Sequence, residues 1–156
     1  MKKYRPNVAA IMRRTDGRIL ICERLNVPGA WQFPQGGVDR GESPKEAIVR
    51  EVEEEIGVAP GEYDLTEQHG PFRYDYPKDV LAKKQVRHPS YIGQEQTYFL
   101  CVPHRDDLKI NLDQEHPEFS RHKWILPEEF QLEWLPPFKR DTYSAVFRDF
   151  FHLNLQ

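Results

Sequence analysis

Glu51, Glu54 and Glu55 are the residues best placed to do chemistry, because of their spacing along the chain. In a helix, offsets of three and four put all three carboxylates on one face, within an arc of about 100°. Like charges held this close repel and weaken a helix by roughly 0.2–0.5 kcal/mol per pair. A divalent cation would offset the repulsion. Magnesium in particular takes oxygen ligands, often a few carboxylates together with substrate phosphates. The helix alone leaves two readings open: a magnesium platform for phosphate chemistry, or a solvated acidic face.

The surrounding residues build the element that such a face needs. Ser43, Pro44 and Glu46 are a helix-start signature, with an N-cap hydroxyl, a proline in the first turn and a glutamate at the third position. Gly57 stops the helix. Ile48, Val52 and Ile56 recur every four residues and form a stripe that can anchor the helix to a core. Upstream, Gly36 and Gly37 lack a Cβ and let the backbone approach a ligand closely.

Written out, residues 36–58 read Gly36-x5-Glu42-x7-Arg50-Glu51-Val52-x-Glu54-Glu55-x-Gly57-Val58. This stretch resembles a complete Nudix box, with every fixed position filled. The resemblance implies an α/β/α sandwich, with a mixed β-sheet between helices, and metal-dependent hydrolysis of a nucleoside diphosphate linked to another group. It also implies that a main-chain carbonyl at the glycine pair, taken as Gly37, joins Glu51, Glu54 and Glu55 as a metal ligand.

Composition narrows the setting. The chain has 156 residues, 38% of them hydrophobic and 30% charged, and is expected to form one Nudix domain over 1–156. It contains no apolar run long enough to span a membrane, and Pro6, Asn7, Arg13 and Arg14 interrupt any signal-peptide core, so a cytoplasmic location is expected. Cys22 and Cys101 sit in apolar runs and read as reduced core residues. A net charge of −3 argues against bulk electrostatic binding of nucleic acid, so a polyphosphate must be met locally by metal and a few basic side chains.

Along the chain, residues 8–12 and 19–22 read as strands joined through Thr15-Asp16-Gly17 into a hairpin. Residues 26–30 read as a loop. Residues 31–35 read as a short half-buried strand in which Trp31 and Phe33 alternate with polar residues. Residues 63–69 and 72–76 read as strands, and Phe72, Tyr74 and Tyr76 share a face that either stacks nucleobases or packs as core. Lys78, Lys83, Lys84, Arg87 and His88 mark an irregular basic loop, serving either as a phosphate or RNA contact or as a solvated surface. Residues 96–102 predict a central strand, 108–112 an edge strand and 121–125 a strand. From Phe138 onward a helix presents Tyr143, Val146, Phe147 and Phe150. Hairpin, helix, strands and terminal helix in this order fit a mixed sheet covered on both faces.

The likeness extends beyond the box. Tyr4-Arg5-Pro6-Asn7-Val8, the run 31–37, Gly93-Gln94, Pro117-Glu118-Phe119 and Phe138-Lys139-Arg140-Asp141 resemble the RNA pyrophosphohydrolase branch of the family, which also includes dinucleoside polyphosphate hydrolases of bacteria and plants. That resemblance implies that Glu118 completes the metal cluster and that Arg5, Arg24, Tyr74, Gln94, Phe138 and Lys139 contact the nucleotide. The implied cofactor is two or more Mg²⁺, for which Mn²⁺ can substitute. The implied substrate is 5′-triphosphorylated RNA, whose conversion to a monophosphate end initiates decay, with diadenosine tetraphosphate as the rival. No obligate protein partner is expected. Glu54 is the first choice of proton acceptor and Glu118 the second, with Arg50 orienting the carboxylates.

Overall fold

The computed structural model describes residues 3–87 and 90–156. Two sheets lie between helices. The first is mixed, in the order β4-β1-β6-β5, built from β1 (Tyr4–Met12), β4 (Gln35–Gly37), β5 (Tyr63–Asp75) and β6 (Gly93–Pro103). The second is antiparallel, in the order β3-β2-β7, built from β2 (Ile19–Arg24), β3 (Trp31–Gln32) and β7 (Phe119–Ile125). The helices are α1 (Pro44–Ile56), α2 (Lys78–Arg87) and α3 (Pro137–Phe151).

Alternation along the strands divides the core in two. Val8, Ala10 and Met12 of β1 join Ala47, Ile48, Val52 and Ile56 of α1 in one cluster. Ala9 and Ile11 face the other way and join Tyr143, Val146, Phe147 and Phe150 of α3 in a second. The helices therefore cover opposite faces of β1, and the chain is an α/β/α sandwich. No helix among the described residues is long and apolar enough to cross a membrane.

Four elements depart from the sequence reading. The turn at Thr15-Asp16-Gly17 closes, with the Gly17 N–H donating to the Arg14 carbonyl at 3.0 Å, but no hairpin follows. β1 instead pairs in parallel with β6 along its whole length, and only the Arg13–Ile19 bridge links it towards β2, which belongs to the other sheet. Residues 31–35 do not form one half-buried strand. The chain crosses there from β3 to β4, and Trp31, Gln32 and Phe33 are all buried. Residues 78–87 form α2 rather than an irregular loop; Asp79 complements the dipole of its first turn, and Leu81 donates to the Pro77 carbonyl at 2.7 Å. His88, the last of that basic segment, lies outside the described residues. Residues 108–112 make no strand: Leu108, Ile110 and Leu112 pack on the α1 cluster, and Asn111 donates to the Ile56 carbonyl at 2.9 Å, tying this segment to the end of α1.

Candidate active site

The acidic helix is set by its ends and its apolar stripe. The Ser43 hydroxyl accepts from the Glu46 N–H and the Glu46 carboxylate accepts from the Ser43 N–H, both at 3.1 Å. Gly57 caps the other end in the left-handed region, with φ of 70°. Between these limits Ile48, Val52 and Ile56 are fully buried, and their burial turns Glu51 inward and leaves Glu54 outward.

Arg50 ties the carboxylates together. Its Nε and Nη2 donate to the two oxygens of Glu42 at 2.8 and 2.9 Å. Its Nη1 donates to Glu51 at 2.8 Å and to Glu54 at 3.1 Å, and its Nη2 also reaches the Gly37 carbonyl at 2.8 Å. All five N–H donors of the guanidinium are thereby used. Arg50 holds the Glu42 carboxyl down at about 2. Burial pushes Glu51 up despite Arg50. Glu55 rises furthest, to about 8, through burial first and then the charges of Glu118, Glu51 and Glu54.

The glycine pair makes room for two of these groups. An added Cβ on Gly36 would lie 1.9 Å from the Glu51 carboxyl carbon, and one on Gly37 would lie 2.6 Å from Nη2 of Arg5. Both side chains can lie against this backbone only because positions 36 and 37 have none. Glu118 arrives from the loop before β7. Its carbonyl accepts from the Leu25 N–H at 2.9 Å, so the segment after Arg24 and the Glu118 loop are bonded to each other.

Glu51, Glu55, Glu118 and Gly37 line a cleft of about 780 Å³, and Arg5, Arg24, Tyr74, Gln94, Phe138 and Lys139 line it with them. Arg50 and Glu54 are not among its lining residues; Glu54 adjoins it through Arg50, which also holds Glu51, and its side chain is 56% exposed. The Tyr74 hydroxyl donates to Gln94 at 2.6 Å, and both residues are buried. The Tyr74 ring centroid lies 5.5 Å from that of Phe138. Lys139 is pushed down to about 8 by burial first and then by Arg24 and Lys84.

A polar network underlies this wall, and sequence reasoning did not find it. The Gln96 amide donates to Gln35 at 2.8 Å and to Asn7 at 3.0 Å, while its oxygen accepts from the Tyr98 hydroxyl at 2.9 Å. The signal was available: Gln94 and Gln96 are polar side chains two apart at the start of a central strand, and buried amides need partners. Val80, Lys83 and Lys84 also line the cleft, brought there by α2.

Among the described residues, no three acidic, histidine or cysteine side chains are grouped closely enough to hold a metal ion as they stand. In kind, the donors suit a hard cation. They are all oxygen, Glu55 keeps one buried carboxylate oxygen without a hydrogen-bond partner, and Gly36 leaves the space that the Glu51 carboxylate fills.

Carboxylates and cations lining one cleft suit cleavage of a phosphoric anhydride, and comparison with known proteins gives the class. The NUDIX domain profile matches residues 3–146, and the chain belongs to that family of hydrolases. Such enzymes generally use divalent metal ions. The chain is 44% identical over 153 residues to the RNA pyrophosphohydrolase of a Nitratiruptor species, covering 96% of this chain and 94% of that protein. It is 40% identical over 152 residues to Nudix hydrolase 25 of Arabidopsis thaliana, covering 94% and 86%. Among solved structures, the MutT protein of Methanosarcina mazei Go1 shares the fold with a TM-score of 0.60 at 22% identity, over 95% of this chain and 96% of that one.

Proposed function

We propose that this Nudix hydrolase is an RNA pyrophosphohydrolase. It adds water across the anhydride bond between the α and β phosphates of a 5′-triphosphorylated RNA, leaving a monophosphate end and releasing pyrophosphate. The observation that carries this reading is one cleft joining the carboxylates of α1 and Glu118 to a wall of Arg5, Arg24, Lys139 and Phe138. The named bacterial relative supports it.

In this proposal Glu51, Glu54, Glu55, Glu118 and the Gly37 carbonyl would hold two or more Mg²⁺, with Mn²⁺ able to substitute. When bound, such ions neutralise phosphate charge and activate water. Arg50 fixes the directions of Glu42, Glu51 and Glu54 and makes no contact with the cleft itself. A carboxylate accepts the proton of the attacking water. Glu54 is the first candidate, because its bond to Arg50 leaves its other oxygen available, and Glu118 is the second. Arg5, Arg24 and Lys139 meet phosphate charge, arginine in bidentate fashion. Phe138 stacks on a base.

The test gives the purified protein Mg²⁺ with triphosphorylated RNA and with diadenosine tetraphosphate, side by side. The expected outcome is a higher kcat/KM on RNA. A clear preference for the dinucleotide overturns the reading.

A further inference from the structure

Charge in the cleft is grouped by sign, acids around Glu55 and cations around Lys139. The chain has a net charge of −3, and Glu51 and Glu118 lie near enough to Glu55 in the cleft for both to act on its carboxyl. A second group is cationic. α2 directs Val80, Lys83 and Lys84 into the cleft, positions i, i+3 and i+4 on one helix face. Lys84 Nζ lies 5.9 Å from the Tyr76 ring centroid, and Tyr76 in turn lies 6.0 Å from Tyr74. Arg24 from β2 and Lys139 from α3 reach the same cleft, near enough that Arg24 and Lys84 both act on the Lys139 ammonium. Cations brought together from three elements repel one another, and a polyanion laid among them removes the repulsion.

The two groups suit different parts of a substrate. Carboxylates meet phosphate only through metal, and so take the reacting triphosphate. Lysines meet phosphate directly. What continues beyond the first nucleoside of an RNA, and is lacking in a free nucleotide, is a phosphodiester chain with one negative charge per residue.

We propose that Lys83 and Lys84 of α2 hold the phosphodiester backbone of single-stranded RNA downstream of the reacting triphosphate, so that α2 distinguishes an RNA chain from a free nucleotide. This rests on the reading of the cleft as an RNA pyrophosphohydrolase site. Contacts of lysine to phosphate position a strand without reading its bases, so the effect is independent of sequence and weakens with salt.

The test compares the wild type with the K83A/K84A and K83R/K84R double variants. One readout is kcat/KM on a short triphosphorylated RNA and on GTP across a salt series. The other is binding of a fluorescent single-stranded RNA of the same length with a 5′-hydroxyl end, which needs no turnover. In K83A/K84A the log–log salt slope for RNA should fall by about 1.4, the amount for two single-strand phosphate contacts. The loss on RNA should exceed the loss on GTP by at least about fivefold, and the arginine pair should restore most of it. An equal loss on both substrates, or an unaltered salt slope, overturns the proposal. If the wild type turns over no RNA, the underlying reading fails, and the binding readout still decides whether α2 holds a strand.

Discussion

Position 36 is where a single atom should separate catalysis from folding. A Cβ there would lie 1.9 Å from the Glu51 carboxyl carbon, which must then move. Glu51 can swing, because only the end of its side chain is in the way, but it leaves its 2.8 Å bond to Arg50 when it does. We therefore expect Gly36→Ala to lower kcat/KM by about 10–100-fold, the usual cost of disturbing a metal site's support. Its melting temperature should stay within a few degrees of the wild type. Steady-state kinetics and thermal melts on one preparation check this, and a variant with normal turnover would remove Glu51 from the site. The glycine pair was legible in the sequence as tight backbone. Which side chains fill the space was not, because Arg5 and Glu51 are distant from the pair along the chain, and reach it only after β1 pairs with β4 and α1 packs against them.

Elements were legible where their signals are local. α1 carried its own cap, stop and stripe, and forms over the expected residues. The failures come from pairings that no local signal announces. The Asp-Gly turn suggested a hairpin, yet β6, about ninety residues downstream, takes β1 in parallel. α2 was missed because its residues are mostly polar, which gives little apolar periodicity to read. At this scale the Glu23 clamp makes a prediction. Its carboxylate accepts from Arg121 Nε at 2.8 Å, from Gly29 N–H at 2.9 Å and from Ser120, binding the loop after β2 to β7. Arg121 first, and then the Gly29 N–H, hold its pKa down at about 2, against 4.5 when free. A depressed carboxyl stabilises the fold above its unfolded value, and the contribution is lost as pH falls through its folded value. The melting-temperature gap between wild type and Glu23→Gln should therefore be constant above about pH 5.5 and shrink steadily below pH 4.5. A gap that stays constant down to pH 2.5 would show that the clamp stabilises by packing and not by charge.

Across the whole molecule, the site draws its charge from parts of the chain that share no local motif. Glu55 sits on α1, Glu118 before β7 and Lys139 on α3, and the two-core sandwich brings them to one cleft. The acidic wall opposes folding when no cation is bound. Glu55 titrates near 8 because burial and three neighbouring carboxylates raise it from 4.5. A raised carboxyl penalises the folded state progressively as pH rises from its unfolded value to its folded one, and fully above that. A bound cation stabilises the folded state by RT ln(1 + [L]/Kd), about 2.7 kcal/mol at a hundredfold excess over Kd, and relief of this crowding is part of that binding free energy. Two consequences follow for thermal melts in chelator and in Mg²⁺. The Mg²⁺-induced rise in melting temperature should be larger at pH 8.5 than at pH 6, since protons compete for the same carboxylates. The double variant Glu55→Gln with Glu118→Gln should lose most of that rise while melting at or above the wild type in chelator, because removing crowded like charges relieves the apo fold. A rise of equal size at both pH values, or one that survives in the double variant, would place the cation elsewhere on the protein and leave the carboxylate wall without its assigned role.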